Sequence, residues 1–197
     1  EQLGPLSNRI YGRKLLETLR ELAARQTIAV PGEALTARLI KELAREALVT
    51  IERLAALDQE IENRLAQHPD AALIRSLPGM GALLTAEFIA EAGAIDRFKS
   101  PDALAAAAGL APVLKQSGKT RWLKRPNGGN KGLKRVFYQS AFASLRCPDS
   151  RAFYARKRQE GKRHHQAVIA LARRRINVLW AVLHKRQPFT ANFEMHT

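Results

Sequence analysis

The chain has 197 residues, 46% of them hydrophobic, one cysteine (Cys147) and a net charge of +15. That is enough for one large domain, or a domain with an extension. It excludes an internal disulfide, and no apolar run reaches the roughly 18 residues of a membrane span. The charge is lopsided: residues 1–67 carry 10 Lys and Arg against 10 Asp and Glu, whereas residues 113–197 carry 20 against 3. Like charges repel in a compact state, so such a field points to a polyanionic partner, nucleic acid before any other. The N-terminus lacks the charged-then-apolar plan of a secretory leader, and a lone cysteine suits a reducing, cytoplasmic setting.

The stretch from Pro5 to about Arg25 sets Leu6, Ile10, Leu15, Leu16, Leu19 and Leu22 close to helical spacing. Residues 26–32, with Pro31-Gly32, read as a connector. A long helix is predicted over residues 34–66, with the stripe Ile40, Leu43, Ala47, Ile51, Leu54, Leu57, Ile61 and Leu65. Its alternating threes and fours fit a hairpin within the chain, a coiled coil between chains, or an ordinary amphipathic helix. His68-Pro69 ends it, because proline disfavours helical geometry in the residue before it.

Residues 73–89 read as a short helix, a tight hairpin at 77–81 and a second helix ending near Gly93. Ser100 as N-cap and Pro101 in the first turn open another helix, which Gly109 closes. The helical period is lost over residues 110–130, where Gly118, Pro126 and Gly128-Gly129 form turns. This segment reads as a basic loop with room for one short hairpin. Helices resume over residues 131–146, 149–159 and 163–185. Leu133, Phe137 and Ala141 face inward from the first, and Val168, Leu171, Ala172, Ile176, Leu179 and Leu183 from the last. The predicted fold is all-α. A long helical hairpin or coiled-coil segment over 1–70 precedes a compact helical domain over 71–197, which carries a helix-hairpin-helix motif and the basic loop.

Three features carry candidate chemistry. Gly79 and Gly81, in Leu77-Pro78-Gly79-Met80-Gly81, would let backbone amides and a helix N-terminus approach a phosphate. A plain turn would use the same glycines. Lys115, Lys119, Arg121, Lys124, Arg125, Lys131, Lys134 and Arg135 surround a glycine-bearing loop and form a phosphate-binding candidate together with Gly118. Trp122 within it fits a hydrophobic plug or a base-stacking ring. Ser117, followed by Gly118 and flanked by Lys115 and Lys119, fits either a turn serine or a hydroxyl poised in a cationic pocket. His164-His165 read as a surface pair near phosphate, Cys147 as a buried small residue, and no pattern suggests a metal site.

The blocks Leu77-Pro78-Gly79-Met80-Gly81, Gly109-Leu110-Ala111-Pro112, Gln116-Ser117-Gly118-Lys119, Phe153-Tyr154-x-x-Lys157, Gly161-Lys162 and Ala172-Arg173-Arg174 occur in this order. Over residues 71–186 they resemble the C-terminal domain of the insertion-sequence transposases that include Piv-type DNA invertases and bridge-RNA-guided recombinases. The resemblance implies that Ser117, and neither Ser140 nor Ser144, is the nucleophile that links covalently to DNA. It implies DNA as partner, with a guide RNA as a second, a homo-oligomer formed through the helical segment, and a bacterial nucleoid setting. Such proteins also carry an RuvC-like domain whose four carboxylates bind metal, for which Mg²⁺ is expected. No residue here matches those carboxylates, so the chain itself is expected to hold no cofactor and to read as the C-terminal part of such an enzyme.

Overall fold

The computed structural model describes residues 10–25, 27–28, 31–117, 120–124 and 128–190; over 113–117 and 120–124 it describes the backbone path. By its internal contacts the chain divides into two units, Glu1–Leu54 and Ala55–Thr197. In the first, α1 (Ile10–Arg25) precedes α2 (Glu33–Ala66), which continues into the second unit. Apolar positions of both helices face solvent: Leu15, Leu19 and Leu22 on α1, and Ile40, Leu43, Ile51, Leu54 and Leu57 on α2, are each about half exposed or more. On α2 only Leu65 is buried.

The second unit is built around α8 (His164–Lys185). Packed against it are α3 (Ala71–Arg75), α5 (Pro101–Ala107), α6 (Lys131–Ala143) and α7 (Pro148–Gln159), while α4 (Ala82–Ala92) packs on α6 and on α3. The inward residues expected on α6 and α8 are all buried: Leu133, Phe137 and Ala141, then Val168, Leu171, Ala172, Ile176, Leu179 and Leu183. Phe88 of α4 meets Phe137 edge to face at 5.7 Å, a favoured aromatic geometry. Each such side chain contributes about 1.5–3 kcal/mol by leaving water. Ser100 caps α5, its Oγ accepting the Ala103 amide at 3.1 Å behind Pro101 at the first turn. Asn130 caps α6 the same way, its Oδ1 accepting the Leu133 amide at 3.1 Å. Cys147 is partly exposed rather than buried, because it stands between a 3₁₀ turn at Ser144–Arg146 and the start of α7.

The basic loop contains an antiparallel hairpin, β1 (Val113–Ser117) with β2 (Thr120–Lys124). Its base is tied off by backbone. A side chain on Gly109 (φ +62°) would meet the Gly128 carbonyl oxygen at 2.5 Å, and one on Gly129 (φ +102°) would meet the Gly109 nitrogen at 2.5 Å. Only glycine permits this crossing. The Asn130 amide then donates to the Ala107 carbonyl at 2.6 Å. Residues 110–128 therefore leave and return at one point, beside the N-terminus of α6. Among the described residues no helix is long and apolar enough to cross a membrane.

Candidate nucleic-acid interface

With Leu133, Val136, Phe137, Ser140 and Ala141 of α6 turned inward, helical spacing sends Lys131, Lys134, Arg135 and Tyr138 outward together. They line an open cleft of about 400 Å³ that is completed by His165 and Ile169 of α8. Arg135 is held by Glu87 of α4, its Nε 2.8 Å from Oε1. Glu91, one turn further along α4, accepts from Asn130 Nδ2 at 2.7 Å. Among the described residues neither Lys131 nor Lys134 has a carboxylate partner, so their charge is left for a ligand.

The basic surface continues onto α7 and the start of α8. Phe153 is surrounded by the cations of Arg156, Lys157 and Arg174, at 5.2, 5.5 and 5.1 Å from its ring centroid. Glu160 bridges Lys157 (2.8 Å) and Lys162 (2.9 Å). Hydrogen bonds from these two ammonium groups lower its pKa to about 2. At neutral pH the trio, two ammonium groups and one carboxylate, therefore keeps one net positive charge. Tyr154 and His164 are linked at 2.8 Å, hydroxyl to Nδ1.

The hairpin at 77–81 is a turn in which the Met80 amide donates to the Leu77 carbonyl at 3.0 Å, with Pro78 second and Gly79 third at φ +81°. These are the residues a type II turn demands. A side chain on Gly79 would lie 2.6 Å from the Ser140 carbonyl oxygen and 3.0 Å from the Ser144 amide nitrogen, both backbone atoms in or just after α6. Gly79 is therefore required by packing. Gly81 is exposed, caps α4, and has open space where a side chain would stand. Arg175, 5% exposed, secures the turn: it donates to the Pro78 carbonyl, and its Nε and Nη2 lie 3.1 and 2.7 Å from Ser140 Oγ. Burial lowers its pKa to about 10, which leaves it charged at neutral pH.

Lys131, Lys134 and Arg135 are thus brought together, whereas Gly79 abuts Ser140 and Ser144 towards the other end of α6, about 14–20 Å from Lys131 by helical rise. Ser117 ends β1 opposite Thr120; Lys115 pairs with Trp122, Gln116 with Arg121 and Val113 with Lys124. Gly118, Lys119 and Arg125 lie outside the described residues. Tyr138 and Ile169 join the cleft without having been singled out for it from the sequence, and His165 was placed only near phosphate. Tyr138 could have been found from its spacing to Lys131, Lys134 and Arg135 on the outer face of α6.

Helices gathered on α8, one hairpin, and a cleft with two unneutralised lysines define a helical domain with a cationic face. Residues 71–155 match the Transposase IS116/IS110/IS902 family, so the chain carries a domain of that family. It is 47% identical over 169 residues to the insertion element IS900 42 kDa protein of Mycobacterium paratuberculosis, covering 84% of this chain and 42% of that protein. Identity to the insertion element IS116 44.8 kDa protein of Streptomyces clavuligerus is 41% over 172 residues, covering 86% and 43%. The pilin gene-inverting protein of Moraxella bovis is 28% identical over 174 residues, covering 77% and 54%. The chain therefore spans about half the length of these relatives, or less.

Proposed function

We propose that the chain is the DNA-binding, nucleophile-bearing part of a transposase or recombinase, acting in the bacterial cytoplasm, and that Ser117 forms the covalent link to DNA. The observation that carries this reading is the tied-off hairpin. Its crossing at Gly109 and Gly129 leads into Asn130 and α6, so the strand that ends in Ser117 springs from beside Lys131 and Lys134. Lys131 and Lys134 at the base of the hairpin would hold backbone phosphates of the DNA, and the cations that flank Ser117 in sequence, Lys115 and Lys119, would offset charge developing on phosphorus during attack by its hydroxyl. Gly81, Lys115, Gly118, Lys119, Arg121, Lys124 and Arg125 are proposed as further phosphate contacts. In a second reading the same surface only binds nucleic acid, and Ser117 is a turn residue.

Duplex DNA affinity is expected to fall steeply with salt, with a slope of log affinity against log salt of about −4 or steeper for five or more phosphate contacts. Replacing Lys131 and Lys134 by Gln should make that slope shallower by about 2. A flat salt response in a filter-binding or anisotropy titration would remove the electrostatic argument.

The division after residue 70 is proposed to be functional, with the first part a self-association segment. The exposed Ile40, Leu43, Ile51, Leu54 and Leu57 on α2 support a second copy as partner, since apolar stripes of this spacing are covered by another helix. In sedimentation, Ile51→Glu with Leu54→Glu should reduce a multimeric mass to that of the monomer. A monomeric mass before substitution rules the segment out as an oligomer interface.

A further inference from the structure

The outer face of α6 does not stop at the cleft. Four residues beyond Tyr138 lies Phe142, a large apolar ring that is 54% exposed. It meets the ring of His164 edge to face, with centroids 6.1 Å apart and planes at 87°. Tyr154 also packs on His164, centroids 5.7 Å apart, and its hydroxyl bonds to Nδ1 and holds the imidazole in place. The next residue, His165, lines the cleft beside Tyr138. Cations and rings are therefore parts of one continuous strip. From Lys134 to Phe142 along α6 is about 12 Å by helical rise. The core face of α6 is filled by Val136, Phe137, Ser140 and Ala141 without Phe142, whose edge contact with His164 leaves its ring open to solvent.

We propose that Phe142, with His164 beside it, is a stacking platform for an unpaired nucleotide of a DNA strand whose phosphates lie on Lys131 and Lys134. This rests on the DNA-binding reading above and narrows it to a strand that is open at this point. A paired, stacked base has both faces covered, so a protein ring gains contact only with a base that is single-stranded or turned out of the helix. Charge complementarity selects a nucleic acid over an apolar peptide, because the approach to the ring runs along unneutralised lysines.

The test uses the full chain and two probes: a single-stranded oligodeoxynucleotide carrying 2-aminopurine, and the same sequence as a duplex. Stacking should change the 2-aminopurine emission of the single strand. Phe142→Ala should weaken single-strand binding about tenfold, in the range found for removing a stacking ring, and leave duplex affinity within about twofold. Phe142→Tyr should restore the single-strand affinity, which separates stacking from any general damage to α6. Equal losses on both probes, or an unchanged single-strand affinity in Phe142→Ala, would overturn the platform while leaving the DNA-binding reading intact. If the unsubstituted chain binds neither probe, the DNA-binding reading fails, and the platform with it.

Discussion

Ser117→Ala is expected to abolish the covalent protein–DNA adduct while leaving DNA affinity within about twofold, since a phosphate site of this kind is dominated by cations. The chain alone, given DNA and Mg²⁺, is expected to give no adduct that survives denaturation. A serine hydroxyl is a weak nucleophile at neutral pH and needs a base or a metal to take its proton. The residues around Ser117 in sequence, from Lys115 to Lys124, include cations and no carboxylate. They can stabilise charge on the phosphate; they cannot efficiently accept the proton. The carboxylate-bearing domain that the family resemblance implies would supply that activation. Adding such a domain, with its guide RNA where one is used, should produce the adduct on denaturing gels, and Ser117→Ala should remove it. An adduct that persists in Ser117→Ala would move the nucleophile elsewhere, with Tyr138 and Tyr154 the next hydroxyls to substitute. An adduct from the chain alone would mean that activation comes from within it.

Local signals were legible in the sequence where the physics is local. Ser100 followed by Pro101 announces a helix start, and the buried stripes of α6 and α8 follow from period alone. The 110–130 segment loses that period, and it holds the one strand pair among the described residues. Pairings between distant residues left no such mark. Gly109 and Gly129 look like separate turn formers until their backbones are seen to cross. Arg135 counts as a free cation in the sequence, yet Glu87, 48 residues earlier, holds it. Arg175 sits in a run of three arginines, and only the fold shows it buried against Pro78 and Ser140, 97 and 35 residues away. Charge totals therefore overstate the cationic surface left for a partner, because cations such as Arg135 and Arg175 are engaged within the fold.

The two glycines of the 77–81 turn should respond oppositely to substitution. Gly79→Ala places a methyl group 2.6 Å from the Ser140 carbonyl oxygen and forces a side chain onto φ +81°. The left-handed conformation costs about 1–2 kcal/mol for a residue other than glycine, and overpacking against a fixed neighbour adds about 1–3 kcal/mol. Neither partner can retreat cheaply. The Ser140 carbonyl is part of the α6 backbone, and Arg175 ties the turn to that residue by bonding both the Pro78 carbonyl and Ser140 Oγ. The total, about 2–5 kcal/mol, is a large share of the 5–15 kcal/mol that stabilises an ordinary domain. It should lower the melting temperature by roughly 10 °C or more. A Cβ added at Gly81 meets nothing within 4 Å, and Gly81→Val starts from a φ of −78°, which any residue adopts. Its melting temperature should change by only a few degrees, in keeping with the modest cost of changing a glycine cap, about 1 kcal/mol or less. If the amides at the start of α4 grip a phosphate, Gly81→Val should weaken duplex binding several-fold in the still-folded protein, because its branched side chain would stand where the backbone approaches. Calorimetry and DNA titration on the same two variants separate the cases. Equal melting temperatures for Gly79→Ala and the unsubstituted chain would show that the turn can move off α6, and unchanged DNA binding in Gly81→Val would confine both glycines to a role in folding.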